Sequence, residues 1–136
     1  MLIREFISET NKNQMISILL KHYKVGSVKV KQKSMKDHAH YNVDTGTLEL
    51  STRYKTIKNR QVKEFLITII HEIRHAMDSK KYGWRKFKDM YEWEMNYQIS
   101  NGKDEYKDNK YEMEAEDFGQ KNYRKWYSKF KKEGLF

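Results

Sequence analysis

One stretch of this chain, His71-Glu72-Ile73-Arg74-His75, sets two imidazoles four positions apart and places a carboxylate directly after the first. On an α-helix that spacing puts both rings on one face, a turn apart, where they can share a single ion. Glu72 falls about 100° around the helix from His71, beside that face. There it can hold a metal-bound water and take its proton, while the ion lowers the water's pKa and polarises a carbonyl. The chemistry implied is hydrolysis of a peptide bond, with His71 and His75 as ligands and Glu72 as general base and then proton donor.

A catalytic zinc takes a third protein ligand, and with no cysteine in the chain that ligand must be a carboxylate or another imidazole. The acid-rich stretch Glu112-Met113-Glu114-Ala115-Glu116-Asp117-Phe118 is the place to look, because residues 104–117 carry seven acids against two lysines. Glu114 is the expected ligand, sharing a helix side with Tyr111 and Phe118, a face suited to packing on the motif helix. Glu112, Glu116 and Asp117 compete for the role, and a solvated acidic face is the usual fate of such a run. Asp78, three residues after His75, could orient an imidazole from outside the ligand set. His38 and His40 lie two apart near a strand and read as a surface pair, outside the site. Tyr97, Tyr106 and Tyr111 are candidates to donate to a developing oxyanion.

The elements that must hold these groups follow from apolar spacing. Between Gln61 and Ser79, Val62, Phe65, Leu66, Ile69, Ile70, Ile73 and Met77 recur at steps of three and four, so the motif lies on the strongest helix. A first helix is expected over Asn11–Tyr23, with Thr10 as its cap. Alternation in Ser27–Gln32 predicts a half-buried strand, and His40–Val43 and Thr47–Leu50 flank a turn at Gly46, which together suggest a small antiparallel sheet. Helix is expected around Phe87–Gln98, a break at Ser100-Asn-Gly-Lys, and a last helix over Lys110–Lys131 with Met113, Phe118, Trp126 and Phe130 in the core. The fold class is therefore α+β: a small antiparallel or mixed twisted sheet packed on the motif helix, flanked by N- and C-terminal helices.

At 136 residues, with no proline and no low-complexity linker, residues 1–136 read as one domain. The hydrophobic fraction of 38% is low, but aromatic residues at 14% can supply a core. The N-terminal stretch has no apolar run of signal-peptide length, and no stretch is long enough to span a bilayer, so a cytoplasmic location without membrane association is expected. The formal charge of +9 is uneven: residues 21–36 carry six lysines and no acid, and six basic residues from Lys121 onward face only Glu133.

In Thr47-Leu-Glu-Leu, Ile69-Ile-His-Glu-Ile-Arg-His-Ala and Glu112-Met-Glu-Ala-Glu-Asp-Phe the chain resembles metallopeptidases of the gluzincin type, including ImmA/IrrE-like proteins of bacteria and mobile elements and small phage proteins. The resemblance spans roughly residues 40–120. It implies a zincin-like fold, zinc held by His71, His75 and Glu114, a catalytic Glu72, and a peptide or protein substrate laid along the Thr47–Ser51 strand edge. The chain departs from the group in the aromatic 38 residues between His75 and Glu114 and in lacking room for a helix-turn-helix domain. A second reading is a basic binding module whose aromatic, lysine-rich C-terminal stretch engages nucleic acid or protein, with a structural or vestigial metal site.

Overall fold

Helix α2 (Val62–Tyr82) is the axis of the protein, because the three-and-four spacing of its apolar residues gives it one continuous buried face. Val62, Phe65, Leu66, Ile69, Ile70 and Ile73 have no exposed surface, and each such burial stabilises by roughly 1.5–3 kcal/mol. The helix runs past the expected Ser79 because nothing between Lys80 and Tyr82 breaks it. It stops at Gly83, whose φ of 86° a side chain would disfavour.

The computed structural model describes residues 6–136; Met1–Glu5 lie outside the described residues. The chain order is β1 (Phe6–Ile7), α1 (Glu9–His22), β2 (Lys29–Lys33), β3 (Ala39–Asn42), β4 (Thr47–Ser51), β5 (Ile57–Lys58), α2, α3 (Trp84–Ser100) and α4 (Lys110–Lys132). This is an α+β architecture in which one face of a small sheet and the helices α1 and α4 share the core with α2. No helix among the described residues is long and apolar enough to cross a membrane.

Several expectations are corrected. The cap of α1 is Ser8, which accepts from the Asn11 amide at 3.1 Å, so the helix starts at Glu9 and Thr10 lies inside it. Of the two sheet forms expected, antiparallel or mixed, the three-stranded sheet takes the mixed one, in the order β2-β4-β3. The β3–β4 hairpin inserts β4 against β2, so β2 meets the strand that runs in its own direction. β2 is exposed at every position rather than half-buried, which makes it a lysine-bearing edge that resists pairing with other chains. Thr47–Ser51, expected as an edge, is the central strand and has no free side. The edge next to α2 is β3.

Helix α4 packs along α2 with the buried stripe Glu112, Ala115, Gly119, Tyr123, Trp126 and Phe130, spaced by threes and fours. Met113, expected in the core, falls off that stripe and is exposed. Gly119 sets the approach of the two helices: a Cβ there would stand 2.8 Å from the Ile67 carbonyl oxygen and 3.6 Å from the His71 amide nitrogen. Gly119→Ala is expected to lower the melting temperature. Overpacking against backbone costs about 1–3 kcal/mol, which outweighs the ~1 kcal/mol that alanine gains in helix propensity. A rise in melting temperature would show that the contact relaxes without cost.

Candidate metal centre

Three elements converge on the His71–His75 face. α2 supplies both imidazoles, α4 brings a carboxylate from its buried stripe, and α3 covers the far side with aromatic rings. The carboxylate is that of Glu112: its Oε1 lies 2.9 Å from His71 Nε2 and 2.9 Å from His75 Nε2. One ligating atom from each of His71, His75 and Glu112 lies within 4.8 Å of the other two, and all three residues are buried. This is the only such group among the described residues, and two imidazoles with one carboxylate form a donor set suited to a borderline divalent cation. These residues could hold a metal ion.

Glu114 is not in the cluster. Its side chain is about half exposed and sits 3.9 Å from Arg74 Nη2 in a surface ion pair. The physical reason is the phase of α4, in which stepping back from Phe130, Trp126, Tyr123 and Gly119 reaches Ala115 and then Glu112. Glu114 belongs to the solvent side. Asp117 also faces solvent and pairs with Lys121 at 2.8 Å. Glu116 has a role, though not as a third donor: its Oε2 is 3.1 Å from His71 Nδ1, the opposite ring nitrogen from the one facing Glu112. It thereby fixes the ring so that Nε2 points into the cluster.

Glu72 is buried beside the cluster, its Oε1 3.9 Å from His71 Nε2. Its other oxygen accepts a 2.7 Å hydrogen bond from the Tyr41 amide of β3, so the sheet edge holds this carboxylate in place. Burial pushes the Glu72 carboxyl up to about 7, a rise that the neighbouring imidazoles His75 and His71 only partly offset. Asp78 does not orient His75: it accepts from Arg74 Nε at 3.4 Å, and His75 Nδ1 is buried with no hydrogen-bond partner among the described residues. His38 bonds the Tyr54 hydroxyl at 2.9 Å, and His40 is exposed on β3, so both stand outside the cluster as expected.

Of the three tyrosines singled out, Tyr97 is exposed and stacked on Trp93, and Tyr111 is buried against Phe87 and Tyr91. Tyr106 alone faces the centre. The residue is 56% exposed, but partial desolvation of its hydroxyl and the charges of Glu112 and Glu72 raise the hydroxyl pKa and keep it protonated. Sequence reasoning missed Tyr91, which donates a hydrogen bond to Glu112 Oε2 and so leaves Oε1 to the imidazoles. Nothing in the spacing of ten tyrosines marked it. Two hollows open on the centre. One of about 500 Å³ reaches His71 and Glu72 past Asp37 and Thr68, and one of about 420 Å³ reaches Glu72, His75 and Glu112 past Val43, Phe87 and Met95. Asp37, Ala39, Glu72 and Tyr106 border both.

Burial alone would lower His71, but its bond to Glu112 and the carboxylates of Glu72 and Glu116 override that and raise it to about 9. A metal ion must displace that proton. Binding is therefore expected to release protons and to tighten as pH rises toward about 9. Calorimetric titration of the metal-free protein at several pH values checks this, and an affinity that is flat with pH would contradict it. Compared with protein-family models, with curated proteins and with solved structures, the chain finds no match.

Proposed function

We propose that the protein is a zinc-dependent metallopeptidase with a zincin-like centre, in which His71, His75 and Glu112 hold the ion and Glu72 is the general base. The observation that carries this reading is the shared Glu112 Oε1, 2.9 Å from both Nε2 atoms, with the buried Glu72 carboxylate alongside. Bound zinc would supply a Lewis acid that makes water a nucleophile near neutral pH and polarises a carbonyl.

Glu72 takes the proton from the attacking water and returns it to the leaving amine. Its hydrogen bond from Tyr41 keeps one oxygen occupied and aims the other at the cluster. In the metal-free protein burial holds the Glu72 carboxyl near 7, and a divalent cation alongside would favour its ionised form, the form that accepts a proton. The Tyr106 hydroxyl, held protonated, is the donor suited to a developing oxyanion. Glu116 and Tyr91 act through others, by positioning His71 and Glu112.

A substrate in extended form would add to the outer edge of β3, since the Tyr41 amide points from that edge to Glu72 and away from β4. The test is metal analysis followed by proteolysis. Protein purified without chelators should carry one equivalent of zinc, and the loaded protein should create new termini in a peptide mixture. Absence of any divalent metal would overturn the proposal.

A further inference from the structure

We propose that a groove between the start of α2 and the C-terminal half of α4 binds the phosphodiester backbone of a single-stranded nucleic acid. It is lined by Arg60, Lys63, Tyr123, Arg124, Tyr127 and Ser128 among others, has a volume of about 480 Å³, and contains no carboxylate. Only Lys33, Arg53, Arg74, Lys88, Lys121 and Lys129 among the described lysines and arginines have a carboxylate within 4.0 Å. An unpaired cation is therefore ordinary here, and what marks this groove is that several share one hollow with a tyrosine ring. Arg60, Lys63 and Arg124 are exposed and have no carboxylate that close among the described residues. Three uncompensated cations therefore face one hollow.

Tyr123 holds two of them together. Lys63 Nζ lies 5.4 Å and the Arg124 guanidinium 5.9 Å from its ring centroid, and Arg124 Nε donates to its hydroxyl at 3.2 Å. That bond, followed by the hydrogen bond and then the charge of Lys63, lowers the Tyr123 hydroxyl below its ordinary pKa against the opposing effect of desolvation.

The donor inventory decides between a nucleic acid and an acidic peptide. An extended peptide brings a row of backbone N–H groups that need acceptors, and this groove, walled by helical turns, offers neither a strand edge nor a carboxylate, only the side-chain oxygens of Asn59, Ser128 and its tyrosines. A phosphodiester backbone brings acceptors, which Arg, Lys, Ser and Tyr side chains satisfy. Because the cations already cover the Tyr123 ring, contact falls on phosphates rather than on stacked bases. The net charge of +9 would steer such a strand toward the protein.

The test is fluorescence anisotropy of a labelled oligo-thymidylate with the full-length protein, titrated from about 50 to about 200 mM salt. A single strand gives a log–log slope of about −0.7 per phosphate neutralised, so Arg60→Gln/Lys63→Gln/Arg124→Gln is expected to flatten the slope by about 2 and weaken binding about tenfold or more. Lys29→Gln/Lys31→Gln/Lys33→Gln on β2 removes the same charge from residues outside the groove lining and should change both much less. Both triple variants alter exposed side chains, and unchanged melting curves would establish that each is folded. Equal losses in the two variants, no binding at the lowest salt, tighter binding of a duplex, or stronger competition by poly-glutamate than by unlabelled oligonucleotide would each overturn the proposal. The measurement is made on metal-free protein as well as loaded protein, so it stands or falls independently of peptidase activity.

Discussion

Glu112→Ala is expected to abolish stable zinc binding, whereas Glu114→Ala should leave it unchanged. Glu112 is the carboxylate shared by both imidazoles, and its loss leaves two nitrogen donors where a catalytic zinc takes three protein ligands. The drop in affinity should exceed the 10–100-fold that follows loss of an outer partner, which is the effect expected for Glu116→Gln through His71 Nδ1. The metal-free protein should also be destabilised, because two buried imidazoles lose their common acceptor at a cost of about 1–3 kcal/mol or more.

That stabilisation has a pH window. Despite burial, the bonds from His71 and His75 hold the Glu112 carboxyl well below its usual 4.5, so its contribution is full above 4.5 and fades as pH falls below that. His71 is raised from 6.5 to about 9, so its contribution is full below 6.5 and is lost as pH rises through about 9. The difference in melting temperature between wild type and Glu112→Ala should therefore be greatest between these limits. Zinc retained by Glu112→Ala and lost by Glu114→Ala would reverse the assignment of the third ligand.

The placement of Glu112, rather than Glu114, beside the two imidazoles shows what the sequence carries and what it leaves open. The motif on α2 was legible because seven apolar residues fix the phase of that helix and thereby the direction of His71 and His75. The phase of α4 was legible too: Phe130, Trp126, Tyr123, Gly119 and Ala115 define a stripe whose next member is Glu112. Alignment with Tyr111 and Phe118 and the position next to Ala115 favour Glu114 instead, because they pass over the small residues through which the buried stripe runs. Other features depended on packing between distant segments. The parallel pairing of β2 with β4 arises because a hairpin inserts a strand, and alternation in residues 27–32 says nothing about which neighbour a strand meets. The Tyr41 amide under Glu72, and Tyr91 behind Glu112, bring residues 31 and 21 positions apart into contact, for which no local spacing gives a signal.

The sharpest separation of chemistry from architecture comes from Glu72→Gln, which is expected to keep the fold and the metal and to reduce peptide hydrolysis by about 10²–10⁴. The amide has the shape of the carboxylate and its oxygen can still accept from the Tyr41 amide, so the β3 edge stays anchored. Because Glu72 lies outside the donor group His71, His75 and Glu112, zinc content should match wild type. Stability of the metal-free protein should rise slightly at alkaline pH. A buried carboxyl raised to about 7 from 4.5 opposes folding as it ionises, with the penalty growing from 4.5 and complete above about 7, and the amide has no such penalty. What disappears is the acceptor for the water's proton. His75→Ala provides the contrast, since it removes a ligand and should lose metal, activity and thermal stability together. The comparison uses a substrate mapped from new termini after incubation of the loaded wild-type protein with a lysate, with zinc measured in every variant. If Glu72→Gln cleaves that substrate at the wild-type rate with full zinc content, the proton is taken by another group and Glu72 is not the general base.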